Sequence, residues 1–233
     1  MEMVKMSALS ERALLVYVGE ELNEQTHAVV QAAVNKLEQQ QLAGIEEIIY
    51  GYTNFCIHFH PLQLKKALQH FPGNSASEKL QHWVREQMQS LQVSDVAAPR
   101  IVEIPVYYGG EYGPDLAAVA AAHQLTEEEV IQLHSEVDYL VHMIGFAPGF
   151  PFLGGLNPRI ATPRHTTPRL KIAAGSVGIA GMQTGVYPFE TPGGWQIIGR
   201  TMMPLFLPNN TPPTLLQAGD KVRFVPVKEE SSC

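Results

Sequence analysis

The chain has 233 residues, 45% of them hydrophobic and 17% charged, and a formal net charge of −7. That length buries a sizeable core in one large or two small domains. The acidic balance argues against non-specific binding to nucleic acid or an anionic membrane surface, and no apolar run is long enough for a membrane span.

The opening MEMVKMSALSERALLVYVG lacks the apolar stretch and small-residue cleavage site of a signal peptide. Cys56 and Cys233 are too few for a disulfide framework. A cytoplasmic, reducing address is expected. Residues 1–98 hold two prolines and four glycines, whereas 99–233 hold fifteen of each. That shift predicts a small α+β domain over 1–97 and a second domain over 98–233, with 93-VSDVAAP-99 as linker.

In the first domain, ALLVYV at 13–18 reads as a short apolar strand. Residues 23–40 carry Val30, Val34 and Leu37 at helical spacing, with Ala33 on the same face. The runs at 45–50 and 53–60 read as strands around a tight turn at Gly51. An extra helix is expected after Pro61. Ser75 and Glu78 form a capping box that opens a helix with Leu80, Trp83, Val84, Met88 and Leu91 on one side. The β-α-β-β-α order predicts a ferredoxin-like sandwich.

The second domain opens with an alternating strand at 101–108. Pro114 is expected at the first position of a short helix, and Thr126 with Glu129 caps another ahead of Val130, Ile131 and Leu133. A strand at 137–144 leads into 145-GFAPGFPFLGGLNPR-159. Proline removes backbone donors there and glycine costs entropy to order, so no regular helix or strand is expected. The segment is nonetheless too apolar for a solvated loop. Phe146, Phe150 and Phe152 are expected to wall a ligand site, meet a partner or cover the core. Short extended pieces at 171–173, 176–180, 195–199 and 221–227 predict a β-barrel or compact sandwich.

Several clusters carry candidate chemistry. Cys56, His58 and His60 share a strand face, either as metal ligands or as the exposed side of a strand that buries Phe55, Ile57 and Phe59. No further ligand is identifiable, so no metal is expected. His134 and Ser135 are adjacent helical residues that point apart, and no G-x-S-x-G elbow is present. His134 either reaches a site beside the next strand or bonds carbonyls at its helix end. Arg159, Arg164, His165, Arg169 and Lys171 crowd a segment stiffened by Pro158, Pro163 and Pro168. Arginine forks suit carboxylate or phosphate, which suggests an anion site in place of a plain solvated loop. In 175-GSVGIAGMQTGVYPFETPGGWQIIGRT-201, Gln183, Thr184 and Tyr187 offer neutral hydrogen-bonding groups. Gly193 and Gly194 allow close backbone approach, Trp195 presents a flat surface and Arg200 adds a cation. There is neither a P-loop lysine nor a G-x-G-x-x-G in a βαβ unit, so no standard grip on ATP is expected.

Together, 103-EIPVYYGGEYGPDL-116, 134-HSEVDYLVHMIGFAPGFPFLGGL-156, 163-PRHTTPR-169, the 175–201 run and 219-GDKVRF-224 resemble the allophanate hydrolase subunit 1 family. The resemblance covers essentially all of 101–226, and more loosely the N-terminal layout with its ALLVYVG. It implies an α+β N-terminal domain followed by a mainly-β, cyclophilin-like barrel. It also implies a subunit, inactive alone, of an ATP-dependent complex that opens 5-oxo-L-proline to L-glutamate with 5-oxoprolinase subunits A and C. ATP is expected in that complex and not on this chain by itself. An alternative implied role is inhibition of autophosphorylation of a sporulation sensor histidine kinase. Matching family positions make His134, Arg164, Arg169, Gln183 and Arg200 catalytic candidates. Phe146, Pro148, Gly149, Ser176, Thr184, Gly185, Tyr187, Gly194 and Trp195 become substrate-binding candidates, joined by Phe150 from the apolar loop. The stretches TNFCIHFH and 165-HTT-167 depart from the family's usual pattern.

Overall fold

The computed structural model describes residues 4–21, 23–92 and 99–228. Residues 93–98, most of the expected linker, lie outside the described residues. The chain divides into two compact units, Met1–Ala98 and Pro99–Cys233.

The first unit runs β1 (Lys5–Ser10), β2 (Ala13–Tyr17), α1 (Glu24–Gln39), β3 (Ile45–Tyr50), β4 (Asn54–Phe59), α2 (Pro61–Ala67) and α3 (Ala76–Gln89). Its antiparallel sheet has the order β1-β2-β4-β3. Because β2 and β3 flank β4 on opposite sides, they run parallel to each other and α1 connects them as a split β-α-β unit. Strand β1 is an addition to the expected order. Its KMSALS sequence is half-buried at best, as suits an edge strand with weak alternation. The Asn23 side chain accepts from the Thr26 N–H at 2.7 Å, and Ser75 and Glu78 cap α3 reciprocally. Each such cap contributes about 1 kcal/mol. The helices bury Val30, Val34, Leu37, Leu80, Trp83 and Val84 against Leu14, Val16, Phe55, Ile57 and Phe59.

The second unit contains β5 (Ile101–Tyr108), α4 (Leu116–His123), α5 (Glu127–Ser135), β6 (Asp138–Ile144), β7 (Pro151–Gly154), β8 (Arg169–Ile172), β9 (Ser176–Ala180), β10 (Gln183–Val186), β11 (Thr191–Gly193), β12 (Gln196–Arg200) and β13 (Lys221–Pro226). Seven strands close into a barrel in the order β10-β7-β6-β13-β5-β12-β9, while β8 and β11 form a separate ribbon. Only the β13–β5 pairing in the barrel is parallel.

Two expectations are corrected. The GFAPGFPFLGGLNPR segment does contain a strand, β7, paired to β6 and β10. Pro151 occupies its first residue, where a strand tolerates a missing N–H. Helix α4 begins at Leu116 and not at Pro114. The Asp115 N–H donates to the Ile197 carbonyl at 2.9 Å, pinning the chain to β12 before the helix turns.

Both faces of the β9–β10 wall are covered. Val177, Ile179 and Val186 join Ile104, Val106, Val141, Leu153 and Phe224 in the barrel interior. The alternate residues Ala180 and Tyr187 lie in a second cluster with Phe150, Ile172, Trp195 and Ile197. Strand periodicity therefore assigns one face to stability and the other to an aromatic surface.

Candidate functional site

That second cluster floors a pocket of about 380 Å³, within the usual range of about 300–1,000 Å³ for small-molecule sites. Phe146, Phe150, Phe152, Tyr187 and Trp195 supply its aromatic walls; Pro168, Pro192, Gly193 and Gly194 form the rim, and Arg164 is the only charged residue among the described residues that line it. Phe150 meets Trp195 edge-on at 5.5 Å and 90°, Tyr187 at 5.3 Å and Phe152 at 4.9 Å. These edge-to-face contacts fix the rings by their quadrupoles as well as by burial. Gly185 lies beneath them. A Cβ there would stand 2.9 Å from the Pro151 carbonyl and 3.1 Å from the Phe150 and Trp195 rings.

Phe146 has a φ of +69°, a left-handed conformation that bulky residues seldom adopt, and is 67% exposed. Its ring meets Phe150 edge-on at 5.5 Å. Holding it there costs on the order of 1–3 kcal/mol, strain of the kind that clusters at ligand sites. Hydrogen bonds from the Gly145 N–H to the Phe150 carbonyl and from the Phe150 N–H to the Ala147 carbonyl close this turn. Gly149 supplies its other left-handed residue at φ +81°, and Pro148 sits exposed between.

The arginine cluster separates into different roles. The Arg164 guanidinium lies 5.8 Å from the centre of the Trp195 ring and has no carboxylate partner among the described residues. The backbone on either side is held: Gln196 Nε2 donates to the Pro163 carbonyl at 2.9 Å, and the His165 N–H donates to the Gly194 carbonyl at 2.7 Å. Arg169, in contrast, donates from both terminal nitrogens to Asp115, at 2.7 and 2.6 Å. Asp115 also accepts from the Ile197 N–H at 2.6 Å and lies 3.3 Å from His165 Nε2. Burial pushes the Asp115 carboxyl pKa up, but the hydrogen bonds from Arg169, Ile197 and His165 outweigh it and hold the group below its usual range. The hydrogen bond to Asp115 raises Arg169 correspondingly. Arg200 donates from Nε to the Ala174 carbonyl at 2.8 Å, and Lys171 pairs with Glu190 at the surface. Arg169 is thus bound to a carboxylate of this chain, whereas Arg164 is not.

His134 lies inside the barrel, apart from the pocket lining. It is completely buried, stacked 4.6 Å from Phe224. Thr184 spends its only hydroxyl proton on the Gly178 carbonyl, so its oxygen accepts from His134 Nε2–H at 2.9 Å. Burial depresses the His134 pKa to about 3, so the ring is neutral and Nδ1 accepts from the Tyr108 hydroxyl at 2.7 Å. Both ring nitrogens are occupied inside the barrel, leaving neither a lone pair nor a proton for a substrate. Thr184 and Ser176 are buried as well, away from the pocket lining. Gln183 stands half-buried at the start of β10. Tyr187 stays a neutral hydroxyl: burial pushes its pKa up to about 12 against the Trp195 backbone hydrogen bond and the Arg164 and Arg169 charges.

Asp115 is the residue that sequence reasoning missed. Its acid follows Pro114 in an ordinary helix-start pattern, and its partner lies 54 positions away.

In the first unit, Cys56 Sγ lies 3.7 Å from His58 Nε2, and His60 leaves the strand to precede α2. Phe55, Ile57 and Phe59 are buried behind them. Among the described residues no group of three or more His, Cys, Asp or Glu is placed to hold a metal ion. A second barrel-unit cleft, of about 670 Å³, is lined by Tyr107, Tyr108 and Tyr112 with Glu111, Glu128 and Lys228. The larger sets two carboxylates beside one ammonium, and the smaller has the Arg164 guanidinium in its lining.

Residues 4–216 match the family described as carboxyltransferase domain, subdomain C and D. The chain is 48% identical over 224 residues to a Bacillus subtilis (strain 168) protein named as the B subunit of 5-oxoprolinase, covering 95% of this chain and 92% of that one. It is 54% identical over 156 residues to the protein of the same name in Escherichia coli O157:H7, covering 66% of this chain and 68% of the relative. The crystal structure of TTHA0988 matches with a TM-score of 0.77 at 31% identity, over 95% of this chain but only 41% of that longer one. The chain belongs to the carboxyltransferase domain, subdomain C and D family, with proteins named as 5-oxoprolinase B subunits among its relatives.

Proposed function

We propose that this chain is one subunit of an ATP-dependent 5-oxoprolinase complex, that it has no activity alone, and that it contributes the pocket for the cyclic amide. The observation carrying this reading is the aromatic-walled pocket with Arg164 in its lining, a cation that has no carboxylate partner among the described residues. The names of the relatives in Bacillus subtilis and Escherichia coli support the same substrate. A lactam is resonance-stabilised, so opening it requires activation of its carbonyl and stabilisation of the charge that develops on oxygen. This chain's part is to bind the ring, exclude water from one face and hold a cation and the Tyr187 hydroxyl beside it. The cyclophilin-like barrel that the family resemblance implies is a likeness of shape, and no isomerase activity is inferred from it. ATP is assigned to the complex and not to this chain by itself.

Purified chain mixed with subunits A and C should release glutamate from 5-oxo-L-proline only when all three and ATP are present. Turnover by this chain alone would overturn its obligate dependence, and no turnover by the full mixture would overturn the assignment.

A second reading, inhibition of a sporulation sensor histidine kinase, rests on Phe146, whose exposed ring suits a protein contact. Phe150 is buried in the cluster and takes no part in such a surface. Phe146→Ser should then abolish kinase binding, and undiminished binding removes this reading.

A further inference from the structure

We infer that Arg164 is the carboxylate anchor of the aromatic pocket, and that the pocket selects small cyclic amides carrying an acid group over their neutral counterparts. The cyclic-amide part of this inference rests on the proposed function; the choice of a carboxylate rests on the pocket itself.

Among the described residues Arg164 is the only charged one lining the pocket, and no carboxylate among them lines it to repel an incoming anion. The backbone flanking it is tied at Pro163 and at His165, while its exposed guanidinium lies over the Trp195 ring and has no carboxylate partner among the described residues. The planar fork matches a carboxylate bidentately and is weakly hydrated, which suits a site with apolar walls. Its position against Trp195 places the charge at the edge of the aromatic lining, beside the exposed Phe146 ring that a five-membered lactam can meet. The rival arginines are committed elsewhere, Arg169 to both oxygens of Asp115 and Arg200 to the Ala174 carbonyl. Phosphate is a poorer fit, since a dianion with three acceptor oxygens meets one fork and no second cation.

The test compares 5-oxo-L-proline with 2-pyrrolidinone, the same lactam without its acid, by calorimetric titration of the full chain and of the Arg164→Gln and Arg164→Lys variants. The native chain should prefer 5-oxo-L-proline by roughly 10- to 100-fold, as for a hydrogen-bonded charge. Arg164→Gln should erase that preference, and Arg164→Lys should keep part of it. Equal binding of the two lactams, unchanged selectivity in Arg164→Gln, or no binding of either by the native chain overturns the inference. The melting temperature of Arg164→Gln should stay close to the native value, since only the contact with Trp195 is lost, and a large fall would contradict the absence of a carboxylate partner. Reconstitution separates this idea from the functional one. If the native complex releases glutamate and the Arg164→Gln complex keeps the native KM, the anchor is wrong and the function stands. If the native complex is inert while the binding preference holds, the function is wrong and the anchor stands.

Discussion

Asp115→Asn removes one charge from a densely bonded polar group of the barrel unit while keeping its shape. Asp115 is 5% exposed and takes two bonds from Arg169, one from the Ile197 N–H and a close approach from His165. The amide keeps an acceptor for Ile197 but turns N–H groups toward a guanidinium that has lost its counter-charge. Stranding one member of a fully buried pair costs about 3–5 kcal/mol. The Arg169 side chain is 34% exposed, so water reclaims part of that, and about 2 kcal/mol is expected. For a unit of this size that lowers the melting temperature by roughly 5–10 °C in calorimetry. The pH dependence has a definite sign. The folded carboxyl titrates below its unfolded value, so its stabilisation is complete above the usual aspartate pKa, about 3.9, and is lost as pH falls below that. The variant should lack this part of the acid loss. A variant within about 0.5 kcal/mol of native, or with an identical acid profile, would refute the role given to this carboxylate.

The burial that holds His134 near a pKa of 3 makes the barrel fully stable above about 6.5 and progressively weaker as pH falls toward 3. Its imidazole proton resonance should not titrate between about pH 8 and 5, and a midpoint near the ordinary 6.5 would place the ring in water instead. Gly185→Ala puts a methyl against the Pro151 carbonyl and two rings, and should cost about 1–3 kcal/mol in urea unfolding; a neutral result would mean the aromatic floor is loosely packed. Phe146→Gly removes a strained conformation and should leave stability within about 1 kcal/mol of native while weakening 5-oxo-L-proline binding. Stability lost with binding kept would reverse the role assigned to this residue.

Elements with strong local signals were legible. The capping boxes at Ser75 and Thr126, the alternation of β5 and the all-buried β9 all follow from nearest neighbours. Strand β7 was hidden because Pro151 and the glycines around Phe152 and Leu153 break the period-two pattern within four residues. Strand β1 was hidden because an edge strand that buries little shows little alternation. The aromatic wall was legible as composition, since an apolar Gly/Pro-rich segment needs either a core or a ligand to cover. What the chain order hid was pairing at a distance. Arg164 and Arg169 look alike in PRHTTPR, yet Asp115 neutralises only the second. The same limit hid the barrel interior, where His134 finds Thr184 fifty positions away.

The chain's two tryptophans provide the most direct measurement. Trp195 floors the pocket, whereas Trp83 packs on α3 in the first unit. In nitrogen-15-labelled protein titrated with 5-oxo-L-proline, the Trp195 indole N–H resonance should move saturably while that of Trp83 stays still. An unmoved Trp195 at saturating ligand would contradict the assignment of this pocket to the cyclic amide.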